Sequence, residues 1–245
     1  MRRGDERDRV SAGWTVRRAA GMRRAAGMRR AAGMRRVLAA ACVGVAVLGT
    51  ATAASAGGVM PRPKEVRVML PPDNSNPAIA NGVATGSEVA LYTSSGLGPA
   101  QANPSAPAGS PERCTDPSLF PGGTWPEGVT VTEAQALSVL SRITENLAAA
   151  GLTVDDVITM KAYLMRPAGA SAADYAGWNR AYRQFFANID LATGQVVPVP
   201  FGTGEPGPPL VATKARPARA TTEVAGLAVG CWLVEVEVMA AYRSR

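Results

Sequence analysis

PARATTEVAGLAVGCWLVEVEVMAA, residues 217–241, reads as two strands joined by a short turn, and the rest of the chain reads outward from it. Ala220–Val224 and Trp232–Tyr242 carry the β-branched, alternating pattern expected of strands. Because successive strand side chains point to opposite faces, Arg219, Thr221 and Glu223 share one side of the first strand, and Glu235 and Glu237 share one side of the second. If the two strands pair, a cation and carboxylates face a common space. An arginine presents a planar fork that grips a carboxylate through two parallel hydrogen bonds, and a glutamate beside it can hold or activate a water. The alternative for the same residues is a surface salt bridge between neighbouring strands.

Upstream, Leu137, Leu140, Thr144 and Leu147 recur at helical spacing, with Thr132 and Gln135 fitting a capping box and Gly151 closing the C-terminal end. Val157–Leu164 follows a turn-like Asp155-Asp156 and predicts a strand. A second helix is expected after Ser171, whose side chain can cap it, with Asp174 in its first turn and an apolar face of Tyr175, Trp178, Tyr182, Phe185 and Phe186. An aromatic stripe at this spacing reads as core. Val89–Thr93 and, more weakly, Glu65–Leu70 predict further strands. Strands alternating with two helices give an α+β fold, one sheet with both helices on one face, and oligomerisation is the simplest cover for the other face.

The formal net charge of +7 suggests nucleic acid, but residues 1–56 hold 12 of the 26 Lys+Arg and only 3 of the 19 Asp+Glu. The remainder has 14 basic against 16 acidic residues, a net of −2, which lacks the cationic footprint of a nucleic-acid binder. No histidine is present, which excludes histidine-dependent triads and zinc-hydrolase motifs. Cys42, Cys114 and Cys231 show no CxxC spacing, so metal-free, cofactor-free chemistry is expected.

Residues 17–36 repeat RRAAGM, Val37–Ala53 is an uncharged apolar run, and Ala54-Ser55-Ala56 offers small residues at a cleavage-type site. Residues 1–56 therefore read as an export leader processed near Ala56, leaving no stable membrane span; a retained signal anchor is the alternative. Export to an oxidising compartment would allow Cys114 and Cys231 to join as a disulfide. Two separate thiols fit the sequence equally well. Residues 57–75 form a linker and possible first strand, and 76–245 a single domain. Pro-, Gly- and Ser-rich insertions near 97–130 and 193–217 are candidates for reshaping a pocket entrance, or else surface decoration.

AGLTVDDVITMKAYL (150–164), WNRAYRQFF (178–186) and the opening stretch, in that order and spacing, resemble successive landmarks of the Rid, or YjgF, family of reactive intermediate deaminases. The resemblance covers about Ile79 to Tyr242. It implies a chorismate-mutase-like α+β fold assembled as a homotrimer, with pockets at the subunit interfaces. It further implies that Arg219 holds the carboxylate of a 2-imino or 2-enamino acid, that Glu235 positions the attacking water, and that hydrolysis releases ammonium and a 2-keto acid. Asn179 matches the family's helix asparagine, and Ser95-Gly96 matches a pair whose backbone lines the pocket. Thr221 stands where a cysteine is common, Leu97 where glutamine is usual, and the early pocket tyrosine has no counterpart near Ile79–Asn81. The missing tyrosine and the expected export favour, as an alternative, a non-catalytic protein that binds small carboxylates. A ribonuclease, the older name of some relatives, fits less well with the charge and the missing histidine.

Overall fold

The structure, a computed structural model, describes residues 60–243; the leader and its expected cleavage site lie outside the described residues. In chain order the elements are β1 (Val66–Met69), β2 (Gly82–Thr85), β3 (Leu91–Thr93), α1 (Val131–Ala149), β4 (Val157–Met165), α2 (Tyr175–Arg183), β5 (Ala218–Val224) and β6 (Val234–Ala241). β3, β6, β4 and β5 lie side by side in that order, with β4 and β5 parallel and the other pairs antiparallel. β1 and β2 form a separate antiparallel pair, which a single bridge between Ala80 and Ala218 connects to β5. The expected single sheet is thus two, and β2 has no counterpart among the strands read from the sequence.

α1 and α2 pack on the same face of the larger sheet. Leu137, Leu140, Ile143 and Leu147 of α1 and Trp178, Tyr182 and Phe186 of α2 and its C-terminal turn share one buried cluster with Met160, Ala162 and Leu164 of β4 and Val234, Val236 and Val238 of β6. Burying this alternate-residue face fixes each strand's register, since a one-residue slip would turn the apolar set to solvent.

The helix starts differ from the expected caps. α1 is capped by Thr130, whose Oγ1 accepts the Glu133 N–H at 3.1 Å. Thr132 and Gln135 are both buried, and the Gln135 amide is used across the fold instead. Its Nε2 donates to the Pro111 and Cys231 carbonyls at 2.8 and 2.7 Å, while its Oε1 accepts from Leu233 N at 2.6 Å. α2 is capped by Asp174, which accepts from Gly177 N at 2.8 Å, and not by Ser171. At the far end of α1, Gly151 at φ +74° lets Leu152 N–H reach the Leu147 carbonyl at 2.9 Å and Gly151 N–H the Ala148 carbonyl at 3.0 Å, a left-handed cap that β-carbon-bearing residues disfavour.

Both insertions are packed. Cys114 and Cys231 form a disulfide that ties the first insertion to the segment entering β6. Phe120 of the first insertion is buried and meets Phe201 of the second edge-on, with ring centroids 5.6 Å apart. The buried amides of Gln184 and Asn188 bond the second insertion at Val199, Pro200, Leu210, Val211 and Thr213. These bonds satisfy loop backbone that would otherwise be buried without partners.

Candidate functional site

The parallel register places Arg219 opposite Met160, Thr221 opposite Ala162 and Glu223 opposite Leu164. Met160, Ala162 and Leu164 are buried beneath the helices, so Arg219 and Thr221 emerge on the helix-bearing face, at the edge strand, where α2 reaches them. One turn of α2 shapes the surroundings. Asn179 Oδ1 accepts from Arg219 Nη2 at 2.7 Å, the guanidinium carbon lies 4.2 Å from the centre of the Tyr182 ring, and Trp178 is 5.8 Å away. Stacking on an aromatic face fixes the plane of the guanidinium while leaving its in-plane N–H groups free to donate. Tyr182 is itself held by a 2.9 Å bond from its hydroxyl to the Ala78 carbonyl. Burial lowers the pKa of Arg219 and raises that of Tyr182, which keeps the phenol neutral beside three nearby arginines, 219, 183 and 216.

Among the described residues, five buried side-chain polar atoms have no hydrogen-bond partner. Two of them are here, Arg219 Nη1 and Thr221 Oγ1 on the same face two residues along, and a third is Nε1 of Trp178, whose ring centre is 5.8 Å from the Arg219 guanidinium carbon. A buried unpaired polar group is costly, about 1–3 kcal/mol each, so an acceptor or water bound here would relieve that cost.

Glu235 is elsewhere. β4 lies between β5 and β6, so the strands expected to pair do not, and Arg219 and Glu235 cannot face a common space within one chain. Glu235 stands opposite Tyr163, on the helix-free face. Glu237, opposite Lys161, is 3.6 Å from that lysine's ammonium. Neither glutamate pairs with Arg219, and Glu223 bonds Arg166 at 2.5 Å, so the salt-bridge alternative is not what holds Arg219 either. Gly96 accompanies Glu235: a Cβ added there would overlap Glu235 Oε1, so the glycine gives the carboxylate its place. The residues singled out in the sequence therefore divide into Arg219, Asn179 and Thr221 on one face and Glu235, with Gly96 against it, on the other; Ser95 precedes that glycine and is exposed.

Sequence reasoning assigns Trp178 and Tyr182 to the core alone. The spacing of Tyr182 from Asn179 is the available signal, since a residue three on from an asparagine on a helix shares its face. A cavity of about 320 Å3 beside Asn179 has no sequence signal; it is lined by Arg180, Arg183, Pro198, Val199 and Pro200 as well. No group of three or more His, Cys, Asp or Glu side chains among the described residues is placed to hold a metal ion. No helix among them is long and apolar enough to cross a membrane.

The model of the endoribonuclease L-PSP family matches residues 122–242. No curated protein sequence matches the chain. Similar solved structures include a YjgF-family protein from Neisseria meningitidis, 20% identical, covering 75% of this chain and 100% of its own at a TM-score of 0.36. A YjgF-family relative from Mycobacterium tuberculosis is 16% identical and covers 73% of this chain and 100% of its own, with a TM-score of 0.33. TdcF of E. coli with bound serine is 19% identical and covers 72% and 99%, with a TM-score of 0.34.

Proposed function

We propose that this chain, whose family match over residues 122–242 supports membership of the Rid/YjgF family, hydrolyses 2-imino and 2-enamino acids to 2-keto acids and ammonia. The observation that carries this reading is the partnerless Nη1 of Arg219 with Thr221 Oγ1 beside it, stacked on Tyr182 and braced by Asn179. That arrangement suits a planar carboxylate. Arg219 orients the substrate, and a water held by Glu235 adds to the electrophilic C2 carbon. The carbon–nitrogen bond then breaks and nitrogen leaves as ammonia. The chemistry needs chiefly orientation and a placed water, for a protonated imine is already electrophilic.

Arg219 and Glu235 occupy opposite faces of one chain, so the complete site requires a second copy, in the homotrimer that the family resemblance implies. Export to the cell envelope or outside it is part of the proposal. The test supplies the purified protein with imines freshly generated by an amino-acid oxidase. Keto-acid formation should accelerate, and Arg219→Ala should remove that acceleration; an absence of acceleration across several amino acids would overturn the proposal.

A second reading is a carboxylate-binding protein without turnover. It is favoured by the same separation of faces, since a chain holding only the Arg219 half can grip an acid with no water-holder opposite. Thermal stabilisation by keto acids without turnover would select it. The ribonuclease suggested by the family description is less well supported by a net charge of −2 over residues 57–245.

A further inference from the structure

Arg183 is half-buried, and its guanidinium makes no hydrogen bond or ion pair among the described residues. Arg180, one turn earlier on α2, is by contrast paired through Nε and Nη2 with the buried Glu133. Arg216 is engaged as well, donating to the carbonyls of Pro77, Lys214 and Ile189 and to Asn76 Oδ1. Arg183 alone of these three has its donors unused, and it lines the 320 Å3 cavity between α2 and the second insertion.

The wall opposite is Pro198-Val199-Pro200, which Gln184 fastens through the Val199 and Pro200 carbonyls. Two prolines and a valine provide no acceptor side chain to the arginine. The C-terminal end of a helix favours a cation by itself. That preference is met by a side chain in open solvent, however, and does not account for one brought against an apolar wall at the cost of desolvation. Burial correspondingly lowers the Arg183 pKa.

Asn179 connects this cavity to the carboxylate grip. Its Oδ1 takes the Arg219 bond, and its side chain forms part of the cavity wall. Asn179 and Arg183 are four residues apart on α2, hence neighbours on one face with Cβ atoms about 5–6 Å apart. The Arg219 guanidinium that Asn179 holds and the Arg183 guanidinium both lie near Tyr182, so the two cations flank one short stretch of α2. We propose that Arg183 and its cavity receive the distal acid of a substrate whose 2-carboxylate is held by Arg219, so that the chain selects 2-imino dicarboxylic acids over monoacids. This rests on Arg219 acting as the carboxylate grip.

The experiment measures binding of 2-oxoglutarate and of 2-oxopentanoate, matched in chain length, to the purified full chain by calorimetry. The diacid should bind about tenfold more tightly or better, as one charge-assisted hydrogen bond gives. Arg183→Gln should bring the ratio of the two affinities close to unity, and Arg183→Lys should keep part of it. Arg219→Gln should weaken both acids. Absence of a diacid preference in the unmodified chain, or a preference that survives Arg183→Gln, overturns the proposal. Monoacid binding that depends on Arg219 without any diacid gain removes only the distal subsite. Diacid binding that depends on Arg183 but not on Arg219 keeps the cavity as an anion site and removes the proposed carboxylate grip and, with it, the two-point recognition.

Discussion

Glu133→Gln tests how the second insertion is held against the helices. The Glu133 carboxylate is almost wholly buried: Oε2 accepts from Arg180 Nε and Nη2 at 2.8 and 2.7 Å, and Oε1 accepts from Gly202 N at 2.9 Å. It thereby joins the first turn of α1, the middle of α2 and the second insertion. Glutamine keeps the volume and can keep the Gly202 bond, but it turns an amide toward a guanidinium, two groups that both have donors to offer. Breaking a buried ion pair by removing one partner costs about 3–5 kcal/mol. Arg180 has a 27% exposed side chain and can recover some hydration, which moves the cost toward about 3 kcal/mol. Loss of a carboxylate in the first turn of α1 adds about 0.3–1 kcal/mol through the helix dipole. Urea titration should therefore register a loss of about 3–4 kcal/mol at unchanged slope. Arg180→Met in the same background should restore part of it, because no unpaired cation then remains. A loss below about 1 kcal/mol, or a double variant whose cost is the simple sum of the two singles, would refute the assignment of Glu133 as the anchor.

The disulfide closes a loop with a sequence separation of 117, for which the chain-entropy relation gives about 5 kcal/mol; Cys114→Ser with Cys231→Ser should approach that loss in a denaturant titration, and under 1 kcal/mol would contradict it. Burial raises the Tyr182 pKa above its ordinary value, so its contribution is complete below the unfolded phenol's pKa, near about 10, and is lost as pH rises from there through the folded value. Tyr182→Phe should consequently flatten the alkaline fall in stability while losing about 1 kcal/mol at neutral pH with the Ala78 bond, and an unaltered alkaline slope would count against the phenol as its source. A Tyr163→Lys substitution beside Lys161 on the helix-free face should dissociate the proposed assembly, seen by light scattering, and abolish turnover; a monomer that still hydrolyses imines would contradict a shared site.

The legibility of the chain follows the range of the interactions. α1 is visible in its apolar period, yet its cap falls at a different threonine from the expected one because Thr130 with Glu133 and Thr132 with Gln135 both satisfy the same local pattern. What separates them is tertiary: the Gln135 amide is committed to Cys231, Pro111 and Leu233, far along the chain or on another element. Arg219 is legible from its strand and from the family resemblance, and Asn179 from the resemblance, but their mutual bond and the Tyr182 bed depend on α2 crossing over β5. β2 is Gly-Val-Ala-Thr, whose glycine and alanine are depleted in strands, whereas β1 and β3 carry valines or an aromatic.

The most consequential difference is the position of β4. β5 and β6 are consecutive in sequence and joined by a short connection, which favours pairing on local grounds, yet β4 separates them. β4 is the longest strand, nine residues, and its alternate residues Met160, Ala162 and Leu164 are all buried. A central position lets it pair on both sides, antiparallel with β6 and, through the α2 crossover, parallel with β5. That insertion of one strand does not alter the face of any residue, but it removes the pairing that would have set Arg219 against a glutamate. With the grip on the helix-bearing face at one edge and Glu235 on the bare face near the other, the proposed hydrolysis would need two chains to bring them together. β5 is the edge strand of the larger sheet, paired on one side by β4 and bridged at Ala218 to Ala80. In this proposal each chain carries both halves on opposite faces, and only contact between chains brings one copy's water-holder to another copy's carboxylate grip.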